Sequence, residues 1–270
     1  MFKTRLLSGI LLVVLLLLFI IPGNVLLLAG LALLSIRGAY ELYRVLGINK
    51  EPVSIVGYIT ILTYYLNLKF NILSDIMVLF MVMMVLLLFI FVLKYPKLNF
   101  TQLGGVVFGV FYVGIMLSYI YQLRMLEPIG AYVVWLIIIS TWGCDTCAYC
   151  VGMLFGKHKM SPVLSPKKSV EGAIGGVVGA GLIALIYCLI LKDRMSIDQI
   201  GVVIIVINVM VAALISMIGD LAASAIKRFY DIKDYGRLIP GHGGVLDRFD
   251  SVIICAPIIY YLVYYTIKFI

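Results

Sequence analysis

Residues 199–250 read QIGVVIIVINVMVAALISMIGDLAASAIKRFYDIKDYGRLIPGHGGVLDRFD, and the break inside them decides the fold. The first part, 199–226, carries one charge and is long enough to cross a bilayer, which takes about 20 apolar residues. The second part crowds Lys227, Arg228, Lys233, Asp234, Arg237, His242, Asp247, Arg248 and Asp250 ahead of the next apolar run. Charges so dense beside a hydrocarbon-like segment need a partner. The mixture suggests one: cations to hold phosphates, carboxylates to hold the metal that phosphates bring.

The rest of the chain has the character of the first part. Over 270 residues it is 64% hydrophobic and 13% charged, with a mean hydropathy of +1.15. No soluble domain of this size has that composition, and the sequence predicts an all-α, polytopic integral membrane protein. Apolar runs place about nine spans near 6–21, 25–43, 53–68, 73–93, 102–122, 129–153, 171–191, 199–226 and 250–268. The first has the charge-then-apolar order of a signal peptide but no small-x-small cleavage site, and reads as a retained helix. Segment 25–43 carries Arg37 and Glu41 near its end. Those charges predict that it leaves the membrane early or runs along its surface.

Orientation follows from the loops. With the N-terminus in the cytoplasm, 16 of the 21 lysines and arginines fall on the cytoplasmic side. The net charge of +8 is therefore read as the positive-inside bias of a multi-pass protein of the cell membrane, not as a nucleic-acid footprint. Loops 154–170 and 227–249 then share the cytoplasmic face, where soluble nucleotides are found. The N-terminal helices, 1–125, read as scaffold and 126–270 as the functional core.

Small residues need separate treatment. Cys144, Cys147 and Cys150 mimic a metal motif, but they repeat along one helical face inside a span and lack a fourth ligand, so they read as packing residues. Overlapping GxxxG patterns at Gly172, Gly176 and at Gly175, Gly179 let helix backbones approach closely, within one chain or between the copies of a homodimer.

Two aspartates lie where a membrane should exclude them, Asp145 in span 129–153 and Asp220 in span 199–226. Each costs about 2.5–3.5 kcal/mol at the centre of a span, so they must face a polar interior, a partner or a metal. Asp220, Ser224 and Lys227, at i, i+4 and i+7, share a helix face that leads into the charged loop. Asp145 and Tyr149 share another, aimed at loop 154–170.

That loop contains Ser165-Pro166, a turn or helix stop, then Lys167 and Lys168, then Ser169 as a cap for the next helix. Lysines beside a capped helix start favour phosphate. In the last loop, Pro240-Gly241-His242-Gly243-Gly244 reads as a turn whose glycines let backbone N–H groups approach a ligand. Asp247 and Asp250, three apart, suit Mg²⁺, which takes one or two carboxylates plus substrate phosphates.

With these residues in place, the chain resembles the phosphatidate cytidylyltransferase (CDP-diacylglycerol synthase) family. The family's signature is filled by Ser224, Ile226, Lys227, Arg228, Lys233, Asp234, Gly236, Ile239, Pro240, His242, Gly243, Gly244, Val245, Asp247, Arg248, Phe249 and Asp250. The centre agrees as well, with Asp145, Tyr149, Gly152, Gly156-Lys157-His158-Lys159, Ser165-Pro166-Lys167-Lys168-Ser169 and Glu171-Gly172. The likeness is specific over about 140–250 and generic in the first hundred residues or so, where only hydrophobicity matches.

The resemblance implies transfer of the cytidylyl group of CTP to phosphatidate, with Mg²⁺, at the cytoplasmic membrane surface. It implies Asp220 and Asp247 as first metal ligands, acting with Lys227 and Arg248 as the catalytic groups. Asp145 and Asp250 would be further ligands, and four carboxylates leave room for a second cation. Lys167, Lys168, Ser224, Arg228, Lys233, His242, Gly243 and Gly244 would bind substrate. Two other classes use similar residues. A secondary transporter also has intramembrane aspartates and Gly-broken helices, but its site lies near the midplane. A CTP-dependent lipid kinase would share the triphosphate site and need a general base for its hydroxyl acceptor.

Overall fold

The computed structural model describes residues 2–241 and 243–269 of the chain. Among them, nine long helices follow the apolar runs: α1 (Phe2–Ile20), α2 (Asn24–Val45), α3 (Pro52–Phe70), α4 (Ile76–Leu93), α5 (Phe100–Arg124), α6 (Gly130–Phe155), α7 (Val170–Met195), α8 (Gln199–Phe229) and α9 (Leu246–Phe269). Eight are long and apolar enough to cross a membrane, and in α1 the apolar stretch Leu7–Ile20 is shorter. The all-α, multi-pass architecture is the one the sequence predicts.

Local chemistry sets the helix starts. Asp75 Oδ1 accepts from Met77 N–H at 2.9 Å, and Asp198 Oδ1 accepts from Gly201 N–H at 2.7 Å. Asn99 and Gln102 form a reciprocal capping box ahead of α5. Pro52 opens α3, where a missing N–H costs nothing.

Three features add to the expected pattern. Helix α2 carries Arg37 and Glu41 in its second half and continues to Val45. Helices α5 and α6 each contain a π-helical stretch, Val110–Ile115 and Ile139–Gly143; the second ends directly before Cys144 and Asp145. Loop 154–170 is not irregular: β1 (Lys159–Ser161) pairs antiparallel with β2 (Ser165–Ser169).

The chain divides into two compact units, Met1–Tyr121 with Asp234–Arg248, and Gln122–Lys233 with Phe249–Ile270. In the first, Tyr43 and Tyr65 are among the largest side chains of a mainly aliphatic buried core. The Tyr43 hydroxyl donates to Val106 O at 2.9 Å, and Tyr65 exchanges a hydrogen bond with Ser35 at 2.8 Å, both buried. Their polar tips are satisfied, so the rings bury large apolar areas without stranding a hydroxyl. Gly57 and Gly109 make space for Tyr43, since a Cβ on Gly57 would reach 2.7 Å from its hydroxyl.

In the second unit α7 packs against both α6 and α8. The glycines of the GxxxG pattern pack within the chain. A Cβ on Gly175 would meet Val151 at 2.5 Å, and one on Gly176 would lie 2.9 Å from Cys144 O. Cys144 is buried, Cys147 lies against Gly179, and Cys150 is exposed, so only the first two pack inside the chain.

Candidate functional site

In the second unit the site is built on the root of the hairpin. Ser169, the last residue of β2, accepts from Gly172 N–H at 3.1 Å and caps α7, as its position predicts. The hydroxyl is enclosed by glycines: a Cβ on Gly156 would lie 2.7 Å from Ser169 Oγ, one on Gly172 2.9 Å and one on Gly152 3.0 Å. Glu171, in the first turn of α7, holds the other strand's approach. It accepts from Lys157 N–H at 3.1 Å and from His158 N–H at 3.2 Å, and pairs with His158 Nδ1 at 2.6 Å.

A hairpin anchored at both ends fixes which lysine turns inward. Lys167 is exposed with Pro166, while Lys168 is half-buried beside buried Ser169. The Lys168 ammonium pairs with a carboxylate oxygen of Asp220 on α8. Asp250, buried on α9, lies within reach of the charges of Asp220, Lys227 and Asp145. Three of the four expected metal-binding carboxylates and two of the expected cations are thus brought into one electrostatic neighbourhood. Ser224 is half-buried on α8; Arg228 and Lys233 are exposed at and beyond its end.

The first unit holds the rest of the last loop. Ile239 and Gly243 exchange backbone hydrogen bonds at 2.9 and 3.1 Å, closing the expected turn. Gly243 has φ +89°, a conformation that costs a side chain dearly. Asp247 is buried, and its Oδ2 accepts from Tyr235 N–H at 2.8 Å and Gly244 N–H at 2.9 Å. It therefore organises the loop, a job the sequence did not suggest. Arg248 is half-buried at the start of α9. His242 lies outside the described residues.

Sequence reasoning passed over one group in this unit. Glu41, fully buried on α2, accepts from Leu246 N–H at 3.1 Å and pairs with Arg37 Nε at 3.4 Å. Arg44 donates to Tyr235 O. The available signal was the spacing Arg37, Glu41, Arg44, which puts three charges on one face of an apolar helix.

Among the described residues, no group of three or more His, Cys, Asp or Glu side chains is already arranged to hold a metal ion. The donor chemistry nevertheless fits one. Asp145, Asp220 and Asp250 offer hard oxygens whose mutual repulsion a divalent cation would relieve, and the ammonium of Lys168 already supplies positive charge at Asp220.

The family model described as "Cytidylyltransferase family" matches residues 3–266. The chain belongs to the cytidylyltransferase family. It is 32% identical to the phosphatidate cytidylyltransferase of Bacillus subtilis over 96% of this chain and 97% of that protein. It is 36% identical to that of Thermotoga maritima over 62% of this chain and 61% of the other. With Staphylococcus aureus strain COL the identity is 35%, over 62% of each. The match beginning at residue 3 shows that the N-terminal helices, which looked generic in sequence, belong to the cytidylyltransferase fold too. As a cytidylyltransferase the protein is a membrane nucleotidyltransferase, and the mixture of carboxylates and cations suits the phosphate chemistry of that class.

Proposed function

We propose that this cytidylyltransferase transfers the cytidylyl group of CTP to phosphatidate, giving CDP-diacylglycerol and pyrophosphate, at the cytoplasmic face of the cell membrane. The observation that carries the reading is the convergence in the second unit: Lys168 on Asp220, with the charges of Asp145 and Lys227 acting on buried Asp250. The relatives' names support the substrate pair.

In the reaction, a phosphate oxygen of phosphatidate bonds to the α-phosphorus of CTP, and the bond from that phosphorus to the β-phosphate bridging oxygen breaks, releasing pyrophosphate. The attacking phosphate is already ionised near neutral pH, so no side chain need remove a proton. The protein's work is positioning and charge neutralisation. Lys168 and Lys227 would offset the triphosphate charge near Asp220 and Asp250, and Arg248 would grip a phosphate through its planar fork. Lys167, Arg228 and Lys233, exposed, would draw anionic substrate from solution and the lipid surface. Ser224, Gly243, Gly244 and His242 would line the substrate. Asp145, Asp220 and Asp250 would hold Mg²⁺ and a second cation, while Asp247 orders the loop of its own unit. When bound, Mg²⁺ neutralises phosphate charge.

Purified protein in liposomes with phosphatidate, CTP and Mg²⁺ tests the reading through pyrophosphate release and lipid product. Metal-dependent CDP-diacylglycerol is the expected result. Turnover with a lipid alcohol alone would replace it by a CTP-dependent kinase. No turnover with either, in folded protein, would leave transport as the activity to assay.

A further inference from the structure

We propose that Glu41 is a positioning residue, which with Arg37 and Arg44 sets the conformation of loop 234–248 on which turnover depends. The inference rests on the reading that Asp247 and Arg248 serve cytidylyl transfer.

Glu41 is fully buried on α2. A fully buried carboxylate inside a membrane helix is costly, and an apolar side chain would fill the same volume more cheaply. What it does there is specific. Its Oε2 accepts the N–H of Leu246, the first residue of α9. At a helix start that N–H has no partner within the helix, and a negative charge is favoured there. Gly236 and Gly244 lie so close to the Glu41 carboxylate that a Cβ on either would overlap its oxygens. Two glycines of the signature thus have a steric reason to be glycine: Gly244 meets Glu41, and Gly236 meets both Glu41 and the Gly244 Cα.

The neighbours on α2 complete the grip. Arg37, one turn earlier, faces Glu41 Oε1 at 3.4 Å; neither atom makes a hydrogen bond, so charge alone holds them. The Arg37 guanidinium also lies over the Tyr40 ring, 5.0 Å from its centroid. Arg44, one turn later, takes the carbonyl of Tyr235, whose N–H goes to Asp247. The loop's backbone is therefore tied to α2 at Tyr235 and Leu246, on either side of the turn, the second immediately before Asp247 and Arg248. Nothing in this arrangement requires Glu41 to touch substrate. It fixes the groups that do.

The test compares full-length Glu41→Ala and Glu41→Gln with the natural protein, first without substrate. In Glu41→Ala, hydrogen exchange of peptides covering 234–248 should quicken roughly tenfold, with peptides from 130–195 unchanged. In Glu41→Gln, whose amide oxygen can still accept from Leu246, exchange should stay closer to the natural rate. In folded protein, Glu41→Ala should also lower kcat roughly tenfold or more, with the KM for CTP within about twofold. Unchanged exchange in Glu41→Ala would overturn the proposal. So would equal quickening in both variants, or a lower melting temperature with kcat per folded molecule unchanged. An inactive natural protein would sink the proposed reaction, not the anchoring, which the exchange measurement decides alone.

Discussion

The ammonium of Lys168 is paired with the carboxylate of Asp220, while Lys167, next to it on the same strand, is exposed. Sequence treats the two lysines alike; their burial in the hairpin does not. Hydrogen bonds to charged groups are worth about 1.5–3 kcal/mol, so Lys168→Ala should cut kcat/KM by roughly ten- to a hundredfold. Lys167→Ala should chiefly raise the apparent KM for CTP, by about threefold. Pyrophosphate-release kinetics on the two variants would decide it, and equal effects would remove the Lys168–Asp220 pair from the explanation.

Asp220→Asn should raise the Mg²⁺ concentration needed for half-maximal turnover by about ten- to a hundredfold, with Asp250→Asn acting in the same direction. Stripping divalent ions with EDTA should abolish activity; Mg²⁺ should restore it and Zn²⁺ should not, because the donors are hard oxygens. A metal titration that looks the same in Asp220→Asn would release that residue from the metal.

Ser169→Ala removes the cap of α7 and should cost about 1 kcal/mol. For a chain of this size that is a fall in Tm of about 2–4 °C, readable by thermal unfolding in detergent. Activity should fall further than stability implies, because the hairpin that carries Lys168 is rooted at Ser169. A variant that melts lower but keeps its kcat would confine the residue to stability.

Lys159→Cys and Lys192→Cys, placed in a background without the native cysteines, should react with a membrane-impermeant maleimide from opposite faces, Lys159→Cys from the cytoplasmic one. Labelling of both from one side would break the alternation of spans that the positive-inside bias supports.

The spans were legible because crossing a bilayer demands length and apolarity, and both are visible residue by residue. The hairpin was not: Ser165-Pro166-Lys167-Lys168-Ser169 reads equally as a turn and a cap, and strands of three and five residues leave too short a pattern. The carboxylates of the second unit could be found from their mere presence in apolar helices. Glu41 could not be judged the same way. A charge near the end of a span looks water-facing, and its burial is created by a loop from the far end of the chain. Asp247 was noticed for its charge, whereas its hydrogen bonds to Tyr235 and Gly244 depend on a turn whose shape only the folded chain supplies.

The crowding around Ser169 reverses an ordinary route to a hardier protein. Replacing a helical glycine by alanine commonly gains up to about 1 kcal/mol. At Gly172 the added carbon would fall 2.8 Å from the carbonyl oxygen of Ala148 and press against the serine hydroxyl. The lysine-bearing hairpin keeps its place through atoms that are absent. A scan that ranks substitutions by helix propensity would choose the very exchanges that pry it loose, so thermostable variants should be sought on the exposed face of α4, at positions such as Met81 and Val85.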